Sequence, residues 1–271
     1  MNETLGLIAG SGCLPALLLK EAKERGCRVA LCAIHGETSP ELEKIADACE
    51  WMRVGELGRM VKFFKHERVS HSVMGGKIQK TNLFRGEVRP DLEMIKVLAK
   101  MSNHSDDSLL GGIADYLKKK GMPLADTTSL LTEEALPREG ILTKRKPSRQ
   151  EIRDIDFGWK LAKEMGRLDI GQTIVVKKQA ILAVEAIEGT DAAIARGGLL
   201  GNGDVAVIKV AKPKQDFRFD VPTVGLATLD AMIQARAKVL AIEAGKVILM
   251  NRDAFIQKAD EHRICLVSRK S

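Results

Sequence analysis

Aromatic side chains are scarce in this 271-residue sequence: one Tyr, two Trp and seven Phe, 4% of the chain. A surface that binds single-stranded nucleic acid needs several exposed rings for bases to stack on, so the composition argues against that class. No apolar run approaches the roughly 18 residues that span a bilayer, which leaves any membrane association peripheral. Cys13, Cys27, Cys32, Cys49 and Cys265 include no C-x-x-C pair and no His at zinc-finger spacing. Their odd number, without a signal-peptide pattern, makes a reducing cytoplasm the expected compartment. The five histidines form no H-x-x-x-H pair, and neither G-x-S-x-G nor G-x-x-x-x-G-K-[ST] occurs. Serine-hydrolase and P-loop NTPase readings therefore lack their required parts.

What is present is ordinary for a globular protein: 45% hydrophobic and 29% charged residues, enough to bury a core. The length exceeds one typical domain. Forty-three basic against 36 acidic side chains give a net charge of +7, scattered apart from TKRKPSR at 143–149. That run reads as a solvated linker, and the net charge alone does not choose between nucleic acid, an anionic membrane and a phosphorylated substrate.

Short β-rich runs alternate with amphipathic stretches over the first 80 residues. LGLIA precedes a helical period from Leu14 to Arg25, VALCAI (29–34) reads as a strand buried on both faces, and a weaker strand signal lies around Trp51 to Val54. A helix from Leu57 to about Arg68, the strand HSVMGG (71–76) and helices near 91–101 and 106–120 follow. Such alternation predicts an α/β fold with a parallel, doubly wound sheet. Pro137, Gly140, Pro147 and the charge run then mark a boundary, dividing the chain into a domain over 1–136, a linker over 137–149 and a second, mixed α/β domain over 150–271. That second half opens on a helix from about Gln150 to Leu168, followed by a hairpin broken at Lys177 to Gln179. A short helix is expected from Thr190 to Arg196, capped by Thr190 or Asp191. Further strands fall in DVAVIKVAK, FDVPTVGL, VLAIEAGKVILM and ICLVS.

Three stretches carry candidate chemistry. In LGLIAGSGCLP (5–15), Gly10, Ser11 and Gly12 fit the start of the dinucleotide fingerprint G-x-G-x-x-G, but Pro15 holds the third glycine's place. Proline suits a helix's first turn, and the loop's N–H groups suit an anion. A tight turn with no ligand fits equally well. In EAIEGTDAAI, Glu188 and Asp191 flank Gly189 and Thr190 where a strand gives way to a helix, an arrangement that serves a divalent cation, a sugar hydroxyl or simply a helix cap. In KVAKPKQDFRFDVPTVG, Lys209, Lys212 and Lys214 offer cations to phosphates, and Gln215 and Arg218 offer donors. An alternating strand there would place Asp216, Arg218 and Asp220 on one face, suited to magnesium or equally to solvent.

Taken in order, LGLIAGSGCLP, DDSLL (106–110), GRLDIGQTIVV, ILAVEAIEGTDA and KPKQDFRFDVPTVGLATL resemble the LpxI-type UDP-2,3-diacylglucosamine pyrophosphatases of lipid A biosynthesis, over nearly the whole chain. The resemblance implies a Rossmann-like N-terminal domain and a distinct α/β catalytic domain enclosing the substrate. It implies Mg2+-dependent hydrolysis of the pyrophosphate to UMP and 2,3-diacylglucosamine 1-phosphate, lipid X, with water directed at the sugar-side phosphorus. The family's catalytic aspartate precedes an L-P-T-[IV]-G motif and maps to Asp220, with Val221 in place of the commoner leucine. Substrate contacts are implied at Gly10, Ser11, Gly12, Leu14, Asp107, Gln172, Glu188, Gly189, Thr190, Asp191, Lys212, Gln215 and Thr223, and metal contacts at Asp220 and Asp191. Expected partners are UDP-2,3-diacylglucosamine, lipid X and, transiently, the cytoplasmic face of the inner membrane; a homodimer stays open, and no nucleic acid is expected. Two other classes compete: a nucleotide-dependent oxidoreductase, weakened by Pro15 and by Glu37 being the sole acidic candidate after VALCAI, and a non-catalytic nucleotide or lipid binder.

Overall fold

The computed structural model describes residues 3–78, 90–99 and 106–270, with the side chains of 106–108 outside the description. The chain divides into two compact units: residues 1–131 with 217–219, and residues 132–216 with 220–271.

The first unit is a four-stranded parallel sheet in the order β3-β2-β1-β4, built from β1 (Thr4–Ala9), β2 (Arg28–Ile34), β3 (Ala48–Met52) and β4 (His71–Gly75). Strand β1 is buried along its whole length and β2 is buried after its first residue. Continuous apolar strands are what a sheet covered on both faces requires. Helix α1 (Leu14–Glu24), with Pro15 in its first turn, lies on one face. On the other face, α2 (Leu57–His66), α3 (Leu92–Leu98) and α4 (Asp106–Lys119) close a core of Ile8, Cys32, Met52, Phe64, Val97 and Leu117. The third strand begins three residues before the expected Trp51, because Ala48 to Met52 pair in register with Ala30 to Ile34. Phe217–Phe219 belong to this unit: the Thr127 amide donates to the Phe217 carbonyl (3.0 Å), the Thr127 hydroxyl donates to the Arg218 carbonyl (3.2 Å), and Phe219 packs on the core.

The second unit holds a six-stranded mixed sheet in the order β5-β12-β10-β8-β6-β7: β5 (Gly140–Ile141), β6 (Thr173–Lys177), β7 (Ala180–Val184), β8 (Ala206–Lys209), β10 (Val239–Glu243) and β12 (Cys265–Arg269). The central strands β8, β10 and β12 are parallel, and β5 and β6 run against their neighbours. A separate parallel pair joins β9 (Thr223–Val224) to β11 (Ile248–Leu249). Helix α5 (Arg149–Arg167) starts at a capping box of Ser148 and Glu151 and lays Ile155, Trp159 and Ala162 on one sheet face. Burial of that kind is worth about 3–5 kcal/mol when a residue like Trp159 is cut to Ala. Helices α6 (Thr190–Gly201), α7 (Leu226–Gln234) and α8 (Arg252–Glu261) cover the other face through Ile194, Leu229, Met232 and Phe255.

Three expectations need correcting. The alternating strand expected over Asp216 to Asp220, and the start of the strand expected in FDVPTVGL, are a turn and irregular backbone, with pairing resuming at Thr223; the Thr127 bonds take backbone carbonyls that a ladder would need. The Thr190 helix runs on to Gly201, and its N-cap is Gly189 with no capping side chain, so neither Thr190 nor Asp191 has that role. Residues 137–149 are not bare spacer: β5 pairs with β12, the Leu142 amide donates to the Leu266 carbonyl, and Arg145 meets Glu151 at 2.6 Å.

Candidate active site

In open α/β sheets, ligands meet the carboxyl ends of the parallel strands. In the second unit, β8 ends at Lys209 and β10 at Glu243 on one edge. Strand β7, antiparallel to β6 as β6 is to β8, ends on that same edge at Val184, where β6 begins at Thr173. Topology therefore gathers Gln172, the turn 185–191, Lys212, Gln215 and Asp220 at a single sheet edge.

The base of this edge is a buried polar trio. Thr173 pairs with Lys209 across the ladder, and the Glu185 amide donates to the Thr173 carbonyl, which places all three on the face that α6 covers. Glu185 is 8% exposed and Lys209 5% exposed. Between them stands the Thr190 hydroxyl, which donates to Glu185 Oε1 (2.7 Å) and accepts from Lys209 Nζ (2.8 Å). A buried ammonium and a buried carboxylate are thus joined through one hydroxyl, the pairing that burial of charge demands. The ammonium of Lys209 is consequently directed inward to Thr190, not outward as a surface phosphate ligand. Two buried acceptor atoms in this region, Glu185 Oε2 and Gln172 Oε1, have no hydrogen-bond partner.

Above the trio, Gly189 takes φ +86°, a left-handed conformation that a side chain would strain, and so lets β7 turn into α6. Glu188 is engaged: its carboxylate accepts from Arg196 Nη2 (2.5 Å) and from the Ala186 amide (3.1 Å). Asp191 is exposed in the first turn of α6. Unmatched N–H groups and the helix dipole favour negative charge at such an uncapped terminus.

The turns after β8 hold the exposed carboxylate of Asp220. Gln215 spans the loop: its Oε1 accepts from the Lys212 amide (3.0 Å), while its Nε2 donates to the Asp220 carbonyl (2.8 Å) and to Asp220 Oδ2 (2.5 Å). Both ends of the Gln215 amide are therefore occupied within the loop. Lys212 Nζ meets Asp169 Oδ1 at 2.5 Å, and Thr223 opens β9 just beyond. Among the described residues no three His, Cys, Asp or Glu side chains gather as a metal cluster. Magnesium needs only one or two carboxylates beside waters and substrate phosphates, so an exposed aspartate at the carboxyl ends of the parallel strands has the donor chemistry for it.

In the first unit, the glycine loop is spent largely on its neighbour. The Gly10 amide donates to the Gly75 carbonyl and the Ser11 amide to the Lys77 carbonyl (both 2.8 Å), and the Ser11 hydroxyl donates to Lys77 as well (2.7 Å). The glycine at position 10 is required by this crossing, since a Cβ there would stand 2.6 Å from the Lys77 carbonyl oxygen. Gly12, at φ +92°, and the half-buried Leu14 lead into α1, which has no side-chain cap. Asp107 falls in α4, but its side chain lies outside the described residues. Glu37, after β2, is buried. Burial holds the Cys32 thiol well above its usual range and pushes Cys49 up to about 11, so neither is poised as a thiolate nucleophile.

Sequence reasoning did not single out Glu185, Lys163 or Glu243. Glu185 follows the apolar run AILAV, and a carboxylate directly after an apolar strand is the signal that marks it.

Residues 4–134 match the family model of the LpxI N-terminal domain and residues 138–267 that of the LpxI C-terminal domain. A Caulobacter vibrioides protein, UDP-2,3-diacylglucosamine pyrophosphatase LpxI, is 32% identical over 268 residues, covering 95% of this chain and 94% of that protein. Among solved structures, phosphoribosylglycinamide synthetase from Anaerococcus prevotii aligns with a TM-score of 0.28 at 12% identity, covering 72% of this chain and 34% of that one. The biotin carboxylase subunit of pyruvate carboxylase aligns with a TM-score of 0.28 at 12% identity, covering 68% and 36%. The chain thus spans about a third of the length of these two structures.

Proposed function

The chain belongs to the LpxI family, a family of hydrolases, and on that premise we propose that it hydrolyses the pyrophosphate bond of UDP-2,3-diacylglucosamine, releasing UMP and 2,3-diacylglucosamine 1-phosphate. The observation that carries the reading to particular atoms is the exposed Asp220 carboxylate, held through Oδ2 by the Gln215 amide at the ligand-binding edge of the second sheet. With Oδ2 engaged, Oδ1 is the oxygen that orients a water. The water's oxygen forms a bond to the sugar-side phosphorus while the bond from that phosphorus to the bridging oxygen breaks. UMP departs with the bridging oxygen, and the water's proton passes to the carboxylate and then to solvent.

Lys212 and the uncapped N-terminus of α6 offset negative charge on the diphosphate. Asp220 and Asp191 are the residues that would hold Mg2+, which when bound supplies charge neutralisation on the phosphate oxygens. No helix among the described residues is long and apolar enough to cross a membrane. The acyl chains of the proposed substrate would bring the protein to the inner-membrane surface, where the net charge of +7 favours anionic lipid.

The test is turnover of UDP-2,3-diacylglucosamine by purified protein with Mg2+, followed by thin-layer separation of the lipid product. The parent protein is expected to produce lipid X, and Asp220→Ala to bind substrate while turning over about 10²–10⁴-fold more slowly, the worth of a positioned acid–base group. Full turnover by Asp220→Ala would remove that residue from the chemistry, and an inactive parent protein would overturn the reaction itself.

A further inference from the structure

Asp220 sits at the end of a ten-residue excursion that would wander if its only support were the backbone. The excursion begins at Ala211, and both polar backbone atoms of that residue are held by charged side chains. Its amide donates to Glu243 Oε2 (2.9 Å), and its carbonyl accepts from Lys163 Nζ (2.9 Å). Lys163 in turn donates to both oxygens of Glu243, at 3.0 and 2.8 Å, and Lys246 Nζ lies 2.8 Å from Glu243 Oε1. Glu243, the last residue of β10, is 1% exposed. A carboxylate so deep in the fold is costly unless its partners are fixed, and its partners here include the first residue of the Asp220 loop.

From Ala211 the constraint passes along the chain to Lys212, whose amide donates to Gln215 Oε1, and from the same Gln215 amide to Asp220 Oδ2 and the Asp220 carbonyl. A second tie, the Asp220 amide donating to the Asp216 carbonyl at 3.0 Å, closes the turn. A donor on one carboxylate oxygen restricts the rotation of the other. This is what a carboxylate needs in order to aim a water, because a misplacement of about 1 Å can cost about 10²-fold in rate.

We propose that Gln215 is the positioning residue of Asp220, and that the Glu243–Lys163 pair anchors the loop in which it acts, so that the three form one relay from the sheet to the reacting edge. The inference rests on the proposed reaction for its kinetic arm alone. It gives Gln215 a role different from the substrate contact that family resemblance implies.

Two measurements test it. In the kinetic arm, Gln215→Ala is expected to lower kcat about 10- to 100-fold with KM within about twofold of the parent, the loss of one charge-assisted hydrogen bond. Gln215→Glu keeps an acceptor for the Lys212 amide but presents no donor to Asp220, so it is expected to be at least as slow; a role confined to bracing the loop would instead let it recover. Glu243→Gln is expected to lower kcat several-fold, and the double variant to fall no further than Gln215→Ala alone. A rise in KM with kcat unchanged would make Gln215 a substrate contact and overturn the relay, as would a double variant whose loss is the product of the single losses.

In the second arm, amide hydrogen exchange across 210–221 is followed by mass spectrometry without substrate. Both single variants are expected to exchange at least about threefold faster along the loop as a whole. Acceleration confined to Ala211 in Glu243→Gln would overturn the relay. This arm reads out whether or not the parent protein turns over the proposed substrate, so failure of the reaction and failure of the relay remain distinct.

Discussion

The Gly10–Gly12 loop and the Gly189–Asp191 turn share one local plan: a strand, a glycine at positive φ (+92° at Gly12, +86° at Gly189) and a helix without a side-chain cap. Their surroundings give them different chemistry. In the first unit, the loop after β4 crosses the glycine loop and consumes the Gly10 and Ser11 donors with carbonyls of Gly75 and Lys77. In the second unit, no strand among the described residues crosses the turn in that way. Its Thr190 hydroxyl is fixed from beneath by Glu185 and Lys209, and the α6 terminus carries no capping side chain. A glycine turn between strand and helix therefore has donors to offer an anion only where the neighbouring chain leaves its N–H groups unspent.

The largest effect that would break this comparison is expected from Lys209→Met. Removing the buried cation strands the Glu185 carboxylate, and the loss should be about 3–5 kcal/mol in denaturant unfolding. The Lys209→Met, Glu185→Gln double variant should regain most of it. A single variant as stable as the parent would show that the trio does not support the second site.

A smaller, paired effect sharpens the contrast within the first loop. Gly10→Ala meets the Lys77 backbone at 2.6 Å and must push the two loops apart, at an expected cost of about 2–3 kcal/mol. Gly12→Ala meets nothing within 4 Å and costs only its left-handed strain, about 1 kcal/mol. Equal melting temperatures for the two variants would refute the crossing as the reason for Gly10.

The smallest effect compares a surface ion pair of the first unit with the buried charges of the second. The hydrogen bond from Arg28, at 2.6 Å, holds the Glu67 carboxyl below its ordinary 4.5, with His66 adding to the effect against partial burial. A carboxylate with a lowered folded value stabilises above its unfolded pKa, and that stability is lost as pH falls through the folded value. Glu67→Gln should therefore be less stable than the parent by at most about 1 kcal/mol at pH 7, with the difference vanishing as pH falls through the lowered folded value. A difference that grew towards acid would reverse the sign and refute the assignment.

Legibility along the chain followed the range of the interactions involved. Strands β1 and β2 were readable because burial on both faces is written in neighbouring residues, and helix α5 was expected from about Gln150, one residue after its start at Arg149. The alternation in QDFRFD misled, because the bonds that bend it come from Thr127, about ninety positions away in sequence. Thr190 looked like a cap by identity and position, yet its hydroxyl is claimed by Glu185, just past β7, and Lys209, at the end of β8. Gln215 and Asp220 were legible as chemistry-bearing residues, but their mutual bond was not.

By itself the sequence determined the alternation of strands and helices, the parallel sheet of the first unit, the family motifs and the identity of an exposed aspartate before Val221-Pro222-Thr223. These follow from periodicity, turn residues and composition, which act over a few positions. Only the tertiary structure decided which glycine loop kept its donors, that Lys209 faces inward to a hydroxyl, and that Glu243, twenty-three residues after Asp220, anchors the loop that carries it. The physical reason is that hydrogen-bond donors and buried charges are satisfied by whichever partners the fold brings within about 3 Å, and strand order, not sequence proximity, selects those partners.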